Sequence, residues 1–313
     1  MELNKIYQEP CLDTLKRMPN NYLDCVITSP PYWQLRDYGY DGQWGLEPTF
    51  QEYLEHLWEM MDEIWRVLKN DGTVWINLGD TYGGGISGQG GNTSKHTEEK
   101  ASIKGTKFES GIKKPLNKCL LLIPHRFAIG CIDRGWIIRN DIIWAKRNGM
   151  PESTKDRFSK KHEYFFLIVK SEKYFFDLDA IRDKHNAASL ERYKYEFSGN
   201  KLDADRDKIG TPSGIFENKK GKNPGSVSDF WDIPTKPSSN EHYAAYNDKL
   251  LEKPILAGCP IGGIVYDPFM GTGSTAEISL RTNRNYIGSE MSIEYCKIAE
   301  QRLNPYKQQI SLF

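Results

Sequence analysis

The chain has 313 residues with 42 basic and 42 acidic side chains, so its formal net charge is zero and any nucleic-acid contact must come from local patches rather than a global basic field. A mean hydropathy of −0.63 and the lack of any apolar run of spanning length exclude a transmembrane protein. The start, Met1-Glu2-Leu3-Asn4-Lys5, has no apolar signal-peptide region, and the six cysteines are scattered without Cys-x-x-Cys spacing; a cytoplasmic protein without disulfide framework or metal site is expected.

In chain order, Lys5-Ile6-Tyr7 reads as a short strand and Cys11 to Met18 as an amphipathic helix. Asp24-Cys25-Val26-Ile27 is a buried strand, stopped by Thr28-Ser29-Pro30-Pro31-Tyr32-Trp33. Two successive prolines fix the backbone and carry no N–H, so their carbonyls can face a ligand as acceptors; Ser29 adds a hydroxyl and Tyr32 a flat ring. Such a set matches a planar ring with an exocyclic amino group, as in a nucleobase, although taken alone it would more often be a turn. Gln34 to Glu47, aromatic and Gly-rich, is either a loop that closes over such a ligand or an ordinary surface loop.

Thr49 is placed to cap a helix running to about Lys69, whose Leu54, Leu57, Met61, Ile64, Val67 and Leu68 form a core-facing stripe. Asn70-Asp71-Gly72 signals a turn and Thr73 to Leu78 the next strand, with Asp80 beyond its end either lining a pocket or capping a turn. From Gly83 to about Lys114 aliphatic residues nearly vanish; the segment reads as a flexible loop whose lysines either meet DNA phosphates or stay solvated. Leu116 to Asp133 is expected to be helical, and 135–144 and His162 to Val169 to be strands, joined by Lys146-x-Asn148-x-x-Pro151 and Arg157. His162 reads as structural. Residues 177 to 230 interleave charges with aromatics and have little periodicity, a pattern that suits either a solvated helical subdomain or a nucleic-acid contact region.

The C-terminal third holds a second motif. Gly263 to Tyr266 is an apolar strand, Asp267-Pro268-Phe269-Met270-Gly271-Thr272-Gly273-Ser274 a Gly-rich turn, and Ala276 to Arg281 a helix. Strand, glycine turn and helix bring backbone against a nucleoside cofactor, and Glu290, ending the next strand, is placed to accept from ribose hydroxyls. Leu250 to Cys259 and Met291 to Leu303 read as the flanking helices.

Ser29-Pro30-Pro31-Tyr32 together with Phe269-x-Gly271-x-Gly273 resembles the amino-methyltransferases of DNA, and the order, catalytic loop first, resembles their permuted beta class. The resemblance implies an α/β, Rossmann-like fold dependent on S-adenosylmethionine, circularly permuted, with a mixed, mostly parallel sheet and an inserted target-recognition region. It divides the chain into a catalytic half at 1–176, with 83–115 as a flexible loop, a target-recognition region at 177–232 and a cofactor half at 233–313. Ser29, Pro30, Pro31 and Tyr32 would be catalytic; Asp267, Phe269, Gly271, Gly273, Ser274 and Glu290 would bind S-adenosylmethionine; no metal is expected. Double-stranded DNA is the implied partner, with a restriction endonuclease of the same site as a second. Trp33 would assist Tyr32 in stacking on a flipped base. Glu9-Pro10 departs from the family's Gly-Asp after the first strand, and Asn247 stands where the family has Pro, so that helix start is expected to differ. Ser before the prolines tilts the target to cytosine N4 over adenine N6. Cytosine C5 chemistry at Pro10-Cys11, methylation of a protein glutamine, and a catalytically silent DNA-binding subunit are weaker alternatives.

Overall fold

The computed structural model describes residues 1–83, 116–149, 152–182, 228–235 and 247–310. Eight strands form one sheet: β1 (Lys5–Tyr7), β2 (Leu23–Thr28), β3 (Leu68–Leu78), β4 (Ile137–Ala145), β5 (His162–Val169), β6 (Phe230–Asp232), β7 (Ile264–Asp267) and β8 (Asn285–Ser289). Their spatial order is β1-β8-β7-β2-β3-β5-β4-β6, and β5 alone runs against the others, a mixed and mostly parallel sheet as expected. The helices are α1 (Cys11–Arg17), α2 (Phe50–Val67), α3 (Ile123–Asp133), α4 (Asp248–Gly258), α5 (Ser274–Arg281) and α6 (Ile293–Ile310).

Buried side chains of α1, α2 and α3 cover one face of the sheet, and those of α4 and α5 the other. The apolar stripe of α2 faces the core, and its start is a capping box: Thr49 Oγ1 accepts from Glu52 N–H at 3.2 Å while Glu52 Oε2 accepts from Thr49 N–H at 3.1 Å. From β2 the chain passes through α2 to β3 on one side, whereas from β7 it passes through α5 to β8 on the other. The winding therefore reverses between β7 and β2, and the carboxyl ends of these two strands flank the crevice where open α/β sheets hold ligands.

Two expected elements differ. Asn70-Asp71-Gly72 is extended chain inside β3: Leu23 pairs with Leu68 and Cys25 with Thr73, so the extra residues bulge out of the ladder. Gly72 fits there because a Cβ would come 3.0 Å from the Asp24 carbonyl. The helix expected from Leu116 begins only at Ile123. Leu122 sits at φ 55, Pro124 lacks the N–H that an earlier start would need, and Asp80 Oδ1 accepts from Ile123 N–H at 3.1 Å. The residues before it pair with the end of β3 instead, Leu121 N–H donating to the Thr81 carbonyl at 2.9 Å. Asp80 thus caps a helix and lies away from the ligand crevice. Asn247 starts α4 in the family's proline position, its side chain accepting from Lys249 N–H at 3.1 Å. The lysines of 95–114, the aromatic and basic residues of 192–222, Pro151 and the 242–246 segment lie outside the described residues.

Candidate active site

A cavity of about 550 Å³ opens at the winding reversal. Ser29, Pro30, Pro31 and Tyr32 line it from the end of β2, and Asp267, Phe269, Gly271, Ser274 and Glu290 from the ends of β7 and β8. The two motifs, more than two hundred residues apart in sequence, thus face one space. Thr28 Oγ1 donates to Asp267 Oδ1 at 2.6 Å, which joins the last residue of β2 directly to the last of β7.

Asp267 is 2% exposed. Its Oδ1 also accepts from Phe269 N–H at 3.0 Å, and its Oδ2 from the Thr275 hydroxyl at 2.6 Å. Burial pushes this carboxyl up to about 6, against the pull of those three hydrogen bonds. Its work in the free protein is to shape the loop. Glu290 lies across the loop from it: Oε2 accepts from Gly271 N–H at 2.8 Å and Oε1 from Ser292 N–H at 2.7 Å, while burial raises its carboxyl above the usual range.

The glycines divide. Gly271 has φ 53, and a Cβ there would meet no heavy atom closer than 4.0 Å, in keeping with its place on the cavity wall. Gly273 has φ 82 but faces α6, where a Cβ would stand 2.8 Å from that of Ala299. It is a packing glycine, not a wall of the cavity. Ser274 opens α5 and its Oγ accepts from Arg302 at 2.7 Å.

On the opposite wall the proline carbonyls are not equivalent. Pro31 O accepts from the Tyr53 hydroxyl at 2.8 Å, whereas among the described residues no donor reaches Pro30 O. Of the two acceptors expected from the sequence, Pro30 is the one left for a ligand. Tyr32 is anchored at both ends of its ring. Its hydroxyl donates to Glu163 Oε2 at 2.7 Å and lies 3.1 Å from Asn77 Oδ1, and its ring rests on Gly79, where a Cβ would come 2.5 Å from Cε2. Ser29 Oγ donates to the same hydroxyl at 3.4 Å. Trp33 does not share the stacking role expected of it. It is 4% exposed, packs edge-on to Phe50 and donates its indole N–H to the Glu47 carbonyl at 2.9 Å.

Glu163, Asn77, Lys146 and Trp144 also line the cavity and were not singled out for it by sequence reasoning. A signal existed: Glu163 and Asn77 are buried polar residues within the apolar stretches of their strands. The antiparallel pairs Trp144 with Glu163 and Asn77 with Phe165 bring them to one end and one face of the sheet. The loop of residues 34–47 forms a further wall, with Tyr40 Oη donating to Ser292 Oγ at 2.8 Å and Trp44 edge-on to Phe269 at 5.3 Å. The turn after β1 and the start of α1 reach the cavity too. There Cys11 is 5% exposed and burial pushes its thiol up to about 12, which leaves no thiolate for nucleophilic attack near neutral pH. Among the described residues no group of three or more His, Cys, Asp or Glu could hold a metal ion, and no helix is long and apolar enough to cross a membrane.

Residues 23–301 match the N6 and N4 methyltransferase family profile, described as DNA methylase. The chain belongs to this DNA methylase family. Type II methyltransferase M.Cfr9I of Citrobacter freundii is 35% identical over 305 residues, covering 97% of this chain and 89% of its own. Type II methyltransferase M.XycI of Xanthomonas campestris pv. cyanopsidis is 35% identical over 298 residues, covering 95% and 87%. Among solved structures, the PvuII DNA methyltransferase, cytosine-N4-specific, superposes with a TM-score of 0.61 at 18% identity over 98% of this chain and 92% of its own. The putative DNA modification methylase TTHA0409 of Thermus thermophilus, complexed with S-adenosyl-L-methionine, gives 0.57 at 20% identity, covering 96% and 93%. These two likenesses establish the shared methylase fold.

Proposed function

We propose that the protein is a permuted, beta-class DNA methyltransferase that moves a methyl group from S-adenosylmethionine to the exocyclic N4 of a cytosine flipped out of duplex DNA. The observation that carries this reading is the single cavity lined by Ser29-Pro30-Pro31-Tyr32 on one side and Phe269, Gly271 and Glu290 on the other. Its volume of about 550 Å³ lies within the range of small-ligand and cofactor sites.

The residues fit the cofactor. Gly271 leaves open space at the wall, Ser274 starts a helix beside it, Phe269 offers an apolar ring, and Glu290 keeps carboxylate lone pairs for ribose hydroxyls. S-adenosylmethionine, when bound, supplies an electrophilic sulfonium methyl group. Asp267, fully occupied by Thr28, Thr275 and Phe269, holds the loop in shape.

The exocyclic nitrogen of cytosine is a poor nucleophile because its lone pair is delocalised into the ring. Accepting its two N–H protons at Ser29 Oγ and Pro30 O favours a pyramidal nitrogen with a localised lone pair. These acceptors are fixed before the base arrives, so the contribution is positioning and electrostatics rather than covalent chemistry. The nitrogen becomes strongly acidic only once it carries the methyl group, so a hydroxyl suffices where relatives use a carboxylate. Tyr32, held by Glu163 and Asn77, gives the flipped base a stacking surface that does not have to be ordered on binding.

Cytosine N4 is favoured over adenine N6 by Ser29, and the cytosine-N4-specific PvuII enzyme shares the fold. The region around 177–232 is proposed to read the recognition sequence, and a restriction endonuclease of the same site is the expected companion in the cytoplasm. Mass spectrometry of nucleosides from unmethylated plasmid DNA, incubated with the protein and labelled S-adenosylmethionine, tests the reading. N4-methylcytosine is expected; N6-methyladenine would reassign the base, and no labelled nucleoside from DNA carrying many sequence contexts would overturn the function.

A further inference from the structure

We propose that Lys146 reads the N3 and O2 edge of the flipped cytosine and so sets which base the cavity accepts, an inference that rests on the cytosine reading above. Lys146 lies just beyond β4, on the cavity wall next to Tyr32. Its ammonium is ion-paired with Glu163 Oε1 and stands 4.5 Å from the centre of the Trp144 ring. Among the described residues the ammonium has no other partner, so part of its three-donor capacity remains for a ligand.

The placement is built rather than incidental. Trp144 and Glu163 are register partners on β4 and β5, and Lys146 N–H donates to the Lys161 carbonyl at 2.8 Å, which fixes the root of the side chain. The same carboxylate that holds the ammonium takes the Tyr32 hydroxyl on its other oxygen at 2.7 Å. Glu163 therefore sets the distance between the stacking ring and the cation. With the amino group held by Ser29 and Pro30 and the ring stacked on Tyr32, the next atoms along the base edge would face Glu163 and Lys146, which line the same cavity.

The chemistry of that wall discriminates. Cytosine offers two adjacent acceptors, N3 and O2. Adenine offers N1 followed by a C–H, and thymine an N3–H donor that would oppose the ammonium. Glu163 alone would repel the acceptors of cytosine; paired with Lys146 it presents a donor to them instead. The contact of the ammonium with the Trp144 ring helps hold this arrangement.

The test is a cycle between protein and base, run on a duplex carrying the mapped recognition site, with the target as cytosine or as 3-deazacytosine, which replaces N3 by C–H. Wild type and Lys146→Met are compared in duplex affinity and in single-turnover methyl transfer. The product is identified first: N6-methyladenine would overturn the cytosine assignment and this inference with it. With N4-methylcytosine as product, wild type is expected to favour cytosine over 3-deazacytosine by roughly 10- to 100-fold in affinity. Lys146→Met should lose a similar factor on cytosine and little more on the analogue. Multiplying losses would assign Lys146 a structural role through Glu163 and Tyr32, and overturn the proposal. Lys146→Ala gives the same reading if the Met variant does not fold. A wild type that binds both duplexes equally overturns the proposal whatever the variants do.

Discussion

The cavity wall proposed for the cofactor is built mainly between Asp267 and Glu290, at the ends of two successive strands, whereas the wall proposed for the base comes from four segments around Ser29, Asn77, Lys146 and Glu163. The first wall is made largely of backbone. A positive-φ glycine, the amides of Phe269 and Gly271 and a helix start are fixed by two carboxylates. The second is made of side chains whose positions depend on strand register: Trp144 opposite Glu163, Asn77 opposite Phe165. A wall of backbone tolerates no change of local conformation but survives loss of distant contacts; a wall of side chains is the reverse. Variants can therefore separate them.

The largest effect is expected from Gly271→Val. A β-branched residue at φ 53 is strained by roughly 1–3 kcal/mol, and its side chain would occupy the space left for the ligand. Calorimetric titration should show S-adenosylmethionine affinity falling by about 100-fold or more through occupation of that space, while the strain lowers the stability of the fold. Unchanged affinity would remove this loop from the cofactor site. The parallel change Gly273→Val sharpens the contrast, because the clash there is with Ala299 of α6. That variant should lose melting temperature.

Tyr32→Ala comes next. It removes the stacking surface and leaves Glu163 and Asn77 without the hydroxyl, so methyl transfer should fall by roughly 10- to 100-fold while cofactor affinity changes less than about twofold. A proportionate loss of cofactor affinity would break the division between the walls. Tyr32→Phe, which keeps the ring, isolates the hydroxyl and should cost about tenfold in turnover.

The same contrast explains what could be read in the chain. The cofactor wall is contiguous, and its glycines, acidic residues and flanking strand and helix announced themselves in sequence. Even so, Gly271 and Gly273 looked equivalent there, and only the packing of α6 separates a cavity glycine from a helix-contact glycine. The capping box at Thr49 and the apolar stripe of α2 were legible because they are local and periodic. Glu163, Lys146 and Asn77 were not assigned to the site because their meeting depends on β5 running antiparallel between β3 and β4, which no local pattern encodes. Trp33 failed as a stacking residue for a related reason: its burial is set by Phe50 and Glu47. The bulge at Asn70–Gly72 carries ordinary turn residues, and the pairing of β2 with β3 draws it into the strand.

A separate effect, read as stability, concerns Asp267, whose carboxyl is pushed by burial up to about 6 from an ordinary 3.8. Between those values the native state binds more protons than the unfolded chain, so stability falls as pH rises through the window. The stabilisation is present in full below it, and the loss above it amounts to about 3 kcal/mol at most. Denaturant titrations of wild type and Asp267→Asn should show the wild type gaining stability relative to the variant as pH drops through the window. A difference independent of pH would mean that the carboxyl is not held protonated by burial.

Thr28→Val tests the seam between the walls and carries the smallest expected change. Valine keeps the shape but takes away the hydroxyl that donates to Asp267 Oδ1 at 2.6 Å. Above the window a buried carboxylate loses one of its three donors, at a cost of about 1–2 kcal/mol; below it the protonated acid demands less of its neighbours and the cost shrinks. Since that hydroxyl lowers the pKa of Asp267, its removal should push the value higher and widen the pH range over which stability declines. A second readout follows from position, because Thr28 precedes Ser29, the hydroxyl proposed to accept from the base. Loss of the bond frees the start of the base wall, so single-turnover methyl transfer should slow more than cofactor binding weakens. Equal stability loss at both ends of the pH range would show that Thr28 acts through packing alone, and the two walls would then be joined only through the β2–β7 ladder.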